Sequence, residues 1–230
     1  MRNFILVSVL LGTTVIANAG GFTGFYDDFD GNTNASLSSK TFDSGATTAY
    51  DFFAIGTPGN MEEGLFSVVN RGIDVHNQFT TKFDADNNPN GNYAVYNGYE
   101  ATDWTAYSIT LGGFTVGQSY FFDAAFMPLA PNPPYPNTTT LRMTLDGAAL
   151  GADIPVVPVP SGSENWAVTS RTFVATSTSH TLRIRSIGAP SLAGNDFGID
   201  NVSVQAVPEP GTMIALGAGV LALLKRRKKA

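Results

Sequence analysis

Eighteen of the chain's 19 acidic residues precede its last 24 positions, and the densest group is Asp27, Asp28, Asp30 and Asn32. Calcium takes roughly six to eight oxygens from carboxylates, amides and carbonyls, so this group offers a start toward a site. Without a cation, the run is a solvated acidic strand start whose carboxylates repel one another; both readings stand. A second group, Asp84-Ala85-Asp86-Asn87-Asn88-Pro89-Asn90-Gly91, imitates a calcium-loop pattern. Counted that way it puts Pro89 where glycine is required and Val95 where glutamate is required. It is expected to be a polar hairpin turn closing on Asn90-Gly91. Glu62 and Glu63 are adjacent, so on a strand they would face opposite ways; Gly59, Asn60 and Gly64 around them indicate a loop. Only His76 and His180 are present, with no H-E-x-x-H, G-x-S-x-G or phosphate-loop pattern. His180, in Thr178-Ser179-His180-Thr181, reads as a surface turn leading into a strand. The expectation is no catalysis. The alternative is a secreted glycan-degrading enzyme, which needs only two carboxylates a few ångströms apart.

Binding chemistry is better supplied by aromatics. Tyr93, Tyr96, Tyr99, Trp104 and Tyr107 lie close together, with Asn92, Asn97 and Asp103 among them. Flat rings that stack on C–H faces, beside amides and carboxylates that bind hydroxyls, suit sugar recognition. On a strand Tyr93 and Val95 share one face and Tyr96 takes the other, so some rings must fill a core. Tyr96, Tyr99 and Trp104 are the expected exposed, ligand-binding ones.

The elements that must position these groups are strands. Short alternating or aromatic-rich runs, separated by Gly, Asn, Asp and Pro, occur at 24–29, 50–55, 65–69, 73–75, 79–83, 92–96, 104–111 and 119–126. Others follow at 141–146, 166–175, 180–187 and 197–205. No sustained helical stripe interrupts them, which predicts an all-β fold, a two-sheet jelly-roll sandwich. Leu141, Met143 and Leu145 alternate with Arg142 and Thr144, and Leu182, Ile184 and Ser186 with Arg183 and Arg185, as strands with one buried face do. The proline-rich stretch 128–136 cannot be a central strand.

The two ends concern targeting. A polar start at Arg2-Asn3, an apolar run from Phe4 to Ile16 and the small-residue site Ala17-Asn18-Ala19 predict a signal peptide over 1–19, cleaved to leave Gly20 first. The body, 20–206, suits one sandwich domain; it keeps seven of the 13 basic residues and has a net charge near −11. Nucleic acid is excluded as a partner for such a surface. No cysteine is present, so no disulfide supports the fold in an oxidising compartment. At the other end, Val207-Pro208-Glu209-Pro210 precedes an uncharged segment, 211–224, and the cations Lys225, Arg226, Arg227, Lys228 and Lys229. Fourteen helical residues span roughly 21 Å against a hydrocarbon core of ~30 Å, and the lysine and arginine stems can extend the match. The cations favour the cytoplasmic side, leaving the body outside. An ordinary single-span anchor is the competing interpretation, and it places the body on the same side.

This order of parts, from 207 to 230, resembles the PEP-CTERM signal of exopolysaccharide-producing bacteria. The resemblance implies an exosortase that cleaves near Pro208-Glu209-Pro210, an inner-membrane-anchored precursor, and a mature form at the cell envelope or in the extracellular matrix of a biofilm. A second resemblance is carried by Trp166-x-x-x-Ser170-x-x-Phe173, His180-Thr181-Leu182-Arg183-Ile184 and Phe197-Gly198-Ile199-Asp200-Asn201-Val202-Ser203-Val204. These segments look like the closing strands of galactose-binding-like jelly rolls found in carbohydrate-binding modules. That resemblance implies a structural calcium joining first and last strands, with Asp200 and Asp30 as metal ligands. The residues before Phe29 are Asp27-Asp28 where the family has Asn-Gly. The combined expectation is an exported structural or adhesive protein that binds exopolysaccharide.

Overall fold

A computed structural model of the chain describes residues 22–30, 51–54, 60–99, 103–188 and 194–208. The signal peptide with Ala17 and Ala19, and the tail from Glu209 through Lys229, lie outside the described residues. Twelve strands are described: β1 Phe25–Asp27, β2 Asp51–Phe52, β3 Leu65–Val69, β4 Tyr93–Tyr96, β5 Trp104–Gly112, β6 Ser119–Pro128, β7 Thr139–Leu145, β8 Ala148–Ala149, β9 Ile154–Val156, β10 Ala167–Val174, β11 Ser179–Gly188 and β12 Phe197–Ala206. The only helical element among the described residues is a 3-10 turn, Gly72–Asp74.

The strands form a two-sheet sandwich of the jelly-roll kind. One sheet runs β10-β6-β12-β4-β3-β2, with β1 also on β12; the other runs β5-β11-β7-β8, with β9 also on β7. Pairing is antiparallel except between β2 and β3. The alternation in β7 and β11 is observed: Leu141, Met143, Leu182 and Ile184 are buried between the sheets, while Arg142, Arg183 and Arg185 lie on the opposite face. Phe66, Tyr96, Tyr107, Phe122, Phe197 and Val204 belong to the same inter-sheet core.

A second core covers the other face of the first sheet. Met61, Val69, Val75, Phe79, Tyr93, Val95, Met127 and Leu129 pack there, with Trp166 against them. The expected strands at 73–75 and 79–83 are therefore absent. Val75 and Phe79 instead plug this layer from a turn and a loop, held by Met61 N–H to Val75 O and Thr80 N–H to Leu129 O, both 2.9 Å. Both faces of β4 are consequently buried.

β12 organises the first sheet. Its first half, Phe197–Ile199, pairs with β4 and its second half, Val202–Val204, with β1, while β6 runs along its other side. Between the halves the register with β6 shifts after Asp200, and Asn201 takes φ +49°, the small polar residue that tolerates this region best. The end of β1 and the start of β4 thus meet at Asp200–Asn201.

Candidate functional site

One end of the sandwich gathers the starts of β3, β5, β7 and β12 with the ends of β4, β6 and β11. Tyr99 and Trp104 meet there, ring centroids 4.5 Å apart and inclined by 37°. Both are half-buried, and Gly64 lies under the pair, since a Cβ on it would sit 3.4 Å from the Trp104 ring and 3.5 Å from Tyr99. The third nominated ring does not join them. Tyr96 is fully buried, stacked between Phe197 at 4.8 Å and Phe66 at 5.8 Å, and its hydroxyl donates to Ala106 O at 2.7 Å. Pairing with β12 on one side and β3 on the other leaves the ring no route outward.

Polar groups that the sequence reading passed over stand beside this pair. Asp196, 7 % exposed, accepts the Gly98 N–H at 2.9 Å, one residue before Tyr99. Burial, with repulsion from Glu63 adding to it, pushes its carboxyl up to about 7. Asn195 is 1 % exposed, and among the described residues neither Oδ1 nor Nδ2 has a hydrogen-bond partner. Its amide fills the space beside Gly98, where a Cβ would come within 2.3 Å of it, so only glycine fits. The available signal is the polar pair Asn195-Asp196 immediately before the apolar strand Phe197–Ala206. A buried polar group that is unpaired, or shifted in ionisation beside an open end of the fold, is a candidate functional group.

The second polar locus sits where β12 kinks. Asp200 is 1 % exposed; its Oδ2 accepts Ala85 N–H and its Oδ1 accepts Asn201 N–H, each at 2.7 Å. Asp30 accepts Asn92 N–H at 2.7 Å and Asn88 Nδ2–H at 3.4 Å. The 84–91 segment is therefore more than a turn closing a hairpin: no strand leads directly into it, and it folds across both nominated carboxylates. Asp84 and Asp30 converge over Gly91, whose Cβ, if present, would overlap Asp84 Oδ2 and lie 2.8 Å from Asp30 Oδ1. Burial first, then neighbouring carboxylates, raises Asp84, and burial followed by Asp84 and Asp86 pushes Asp200 up to about 7. These oxygens are hard donors of the type calcium takes. Among the described residues, however, no three His, Cys, Asp or Glu side chains stand at metal-holding spacing.

The histidines show no catalytic arrangement. His180 is buried, contrary to its expected surface placement: its ring packs against Phe114 and Phe173. Nδ1 lies 2.6 Å from Asp146 Oδ2, and Nε2 accepts N–H bonds from Thr176 and Ser177, both at 3.2 Å. Backbone amides, and no hydroxyl nucleophile, thus occupy the nitrogen that a catalytic base would use. His76 stacks on Phe79 at 4.4 Å.

At the opposite end from Tyr99 and Trp104, β12 runs into the tail. Val207 N–H donates to Ser119 O at 2.9 Å and Gln118 Nε2–H to Val207 O at 3.0 Å; Pro208 is exposed. Residues 206–229 match the family model of the PEP-CTERM protein-sorting motif. The chain carries a C-terminal protein-sorting motif. The motif begins where the last strand ends, so the length of β12, roughly 30 Å, separates the aromatic end from the tail. Among the described residues no helix is long and apolar enough to cross a membrane; the segment 211–224 lies outside them.

Comparison with curated proteins gives no match. Among solved structures, the chain is similar to the C-terminal domain of EclA, a sugar-binding protein, at TM-score 0.40 and 18 % identity, over 48 % of this chain and 75 % of that one. The CBM22-1 xylan-binding domain of Paenibacillus barcinonensis Xyn10C aligns at TM-score 0.37 and 14 % identity, over 51 % and 74 %. The insecticidal delta-endotoxin Cry8Ea1 of Bacillus thuringiensis aligns at TM-score 0.38 and 12 % identity, over 65 % of this chain and 25 % of that one. Likeness at this level transfers no ligand from one protein to another.

Proposed function

We propose that this chain is an exported, exosortase-processed β-sandwich of the cell envelope or extracellular matrix. In this proposal it has no catalytic role and holds polysaccharide at the Tyr99–Trp104 end. The observation that carries the proposal is the half-buried ring pair beside Asp196 and Asn195. Rings provide a face for sugar C–H groups, and the carboxyl and amide provide partners for hydroxyls. In the precursor, an anchor at the opposite end would point the ring pair away from the membrane. Changing Tyr99 and Trp104 together to alanine should weaken retention on the source organism's own exopolysaccharide while the fold persists. A folded double variant with undiminished retention would refute the site, and a wild type that binds no glycan would leave a purely structural matrix protein.

We further propose calcium at the β12 kink. Asp30 and Asp84 across Gly91 would supply oxygens, with Asp200 and Asp86 beside them. The cation would neutralise carboxylates that otherwise repel, and would tie the segment after β1 to the last strand. The enzyme alternative rests on Asp196, whose carboxyl near 7 lies within range of Glu63. Glycan hydrolysis that disappears in both Asp196→Asn and Glu63→Gln would favour that alternative.

A further inference from the structure

The outer face of the second sheet presents one continuous polar grid. β5 contributes Ser108 and Thr110, β11 contributes Thr181, Arg183 and Arg185, and β7 contributes Thr140 and Arg142, while Thr105 and Thr144 lie buried beneath them. The register places Arg185 directly opposite Arg142, and Arg183 between Ser108 and Thr144. Neighbours two apart on a strand, or opposite across strands, stand within roughly 7 Å, so the three guanidinium stems form one cluster. Along β5, β11 and β7 the positions on this face are polar; Pro155 and Ala149 flank them beside Thr140 and Thr144. Three of the seven basic residues of a body with net charge near −11 are gathered here.

A solvated sheet face does not require this arrangement. Like charges directly opposite one another destabilise a sheet, and the sequence uses arginine at all three positions, the residue whose planar fork matches carboxylates. Asp153 holds Arg142 through Nε and Nη2 at 2.8 and 2.9 Å. Asp103 holds Arg185 through Nη2 at 2.9 Å. Arg183 makes no ion pair among the described residues; its Nε–H donates to Ser108 Oγ at 3.3 Å. Two forks are thus oriented by acids, and Arg183, whose charge also acts on Asp146, keeps two nitrogens for an incoming anion.

We infer that this grid binds a carboxylated polysaccharide. Guanidinium forks take the uronate groups, and the threonine and serine hydroxyls exchange hydrogen bonds with the sugar hydroxyls. An acidic protein segment fits less well, because protein interfaces depend on buried aromatic or aliphatic anchors and this grid has none. Nucleic acid, with its dense phosphate charge, would be repelled by the acidic remainder of the body. The inference does not rest on the ring pair of the Tyr99–Trp104 site.

The test measures retention of the intact, detergent-solubilised protein on immobilised polygalacturonate, its methyl ester and poly-glutamate. Wild type should be retained on polygalacturonate in a salt-sensitive manner and not on the ester, which has the same hydroxyls without charge. Arg183→Gln should weaken retention by about tenfold, as loss of charge-assisted hydrogen bonds does. Combining it with Arg142→Gln and Arg185→Gln should abolish retention, while changing Tyr99 and Trp104 to alanine leaves it intact. Arg183→Gln also excludes cation bridging through the acidic locus, which the substitution does not touch. Equal retention on acid and ester, an undiminished folded triple variant, or stronger retention on poly-glutamate would each overturn the inference.

Discussion

Asp196→Asn isolates the strain at the aromatic end. The wild-type carboxyl is held at about 7 against an ordinary 3.8 by burial, with Glu63 a lesser cause. The folded chain therefore retains a proton that the unfolded chain gives up. Stability from this group is complete below the unfolded value, falls as pH rises toward 7, and is lost above it. The difference corresponds to roughly 4 kcal/mol for a fully charged buried form. Local relaxation and water entry reduce what is observed to roughly 1–3 kcal/mol. Asparagine keeps the oxygen that accepts the Gly98 N–H and removes the charge. The variant should match wild type near pH 4 and exceed it near pH 8, by roughly 3–10 °C in Tm for a body of this size. Thermal unfolding of both proteins across that range, in chelator, measures the gap directly. Parallel curves, or a variant less stable than wild type at pH 8, would show that Asp196 carries no such strain.

Other consequences are equally concrete. Replacing Pro208-Glu209-Pro210 with alanines should leave export intact and keep the full tail attached in the membrane fraction; normal tail removal, read by mass spectrometry of the C-terminus, would contradict exosortase processing. Calcium chelation should lower the Tm of wild type, by the equivalent of ~2.7 kcal/mol if calcium had been at a hundredfold excess over its Kd, and should do little to Asp200→Ala; an unchanged wild-type Tm would remove the metal from the proposal. His180→Ala deletes a buried ring that holds Asp146 and two turn amides, and should cost about 2–4 kcal/mol in denaturant unfolding; a loss below half a kcal/mol would place that ring at the surface after all.

What could be read from the sequence follows from where one face of a strand is wet. In β7 and β11 the alternation of Leu141, Met143, Leu182 and Ile184 with arginines is a period-2 signal, and it located both strands to within two residues. β4 carries no such signal, because the inter-sheet core buries Ala94 and Tyr96 while the outer layer buries Tyr93 and Val95; this is why Tyr96 was assigned outward. The same outer layer uses Val75 and Phe79, whose apolar character imitated strands. β8 and β9 are two and three residues long, too short for any period to show. His180 was misplaced because its Ser and Thr neighbours describe the turn correctly but not the Phe114 and Phe173 rings behind it. Asp84, Asp196 and Asn195 take their significance from contacts across the fold, with Asp30 and Gly98, that no local pattern encodes.

Glycan binding at the aromatic end can be tested with a single spectroscopic titration. The chain has two tryptophans; Trp166 is packed against Tyr93 and donates to Phe83 O at 2.9 Å, whereas Trp104 lies half-exposed in the proposed site. In a folded Trp166→Phe variant, all tryptophan emission comes from Trp104. Titration with the source organism's exopolysaccharide should shift that emission to the blue and saturate, because a sugar face stacked on the ring displaces water. Saturable binding detected by retention, with Trp104 emission unchanged throughout, would place the glycan elsewhere and contradict the proposed site.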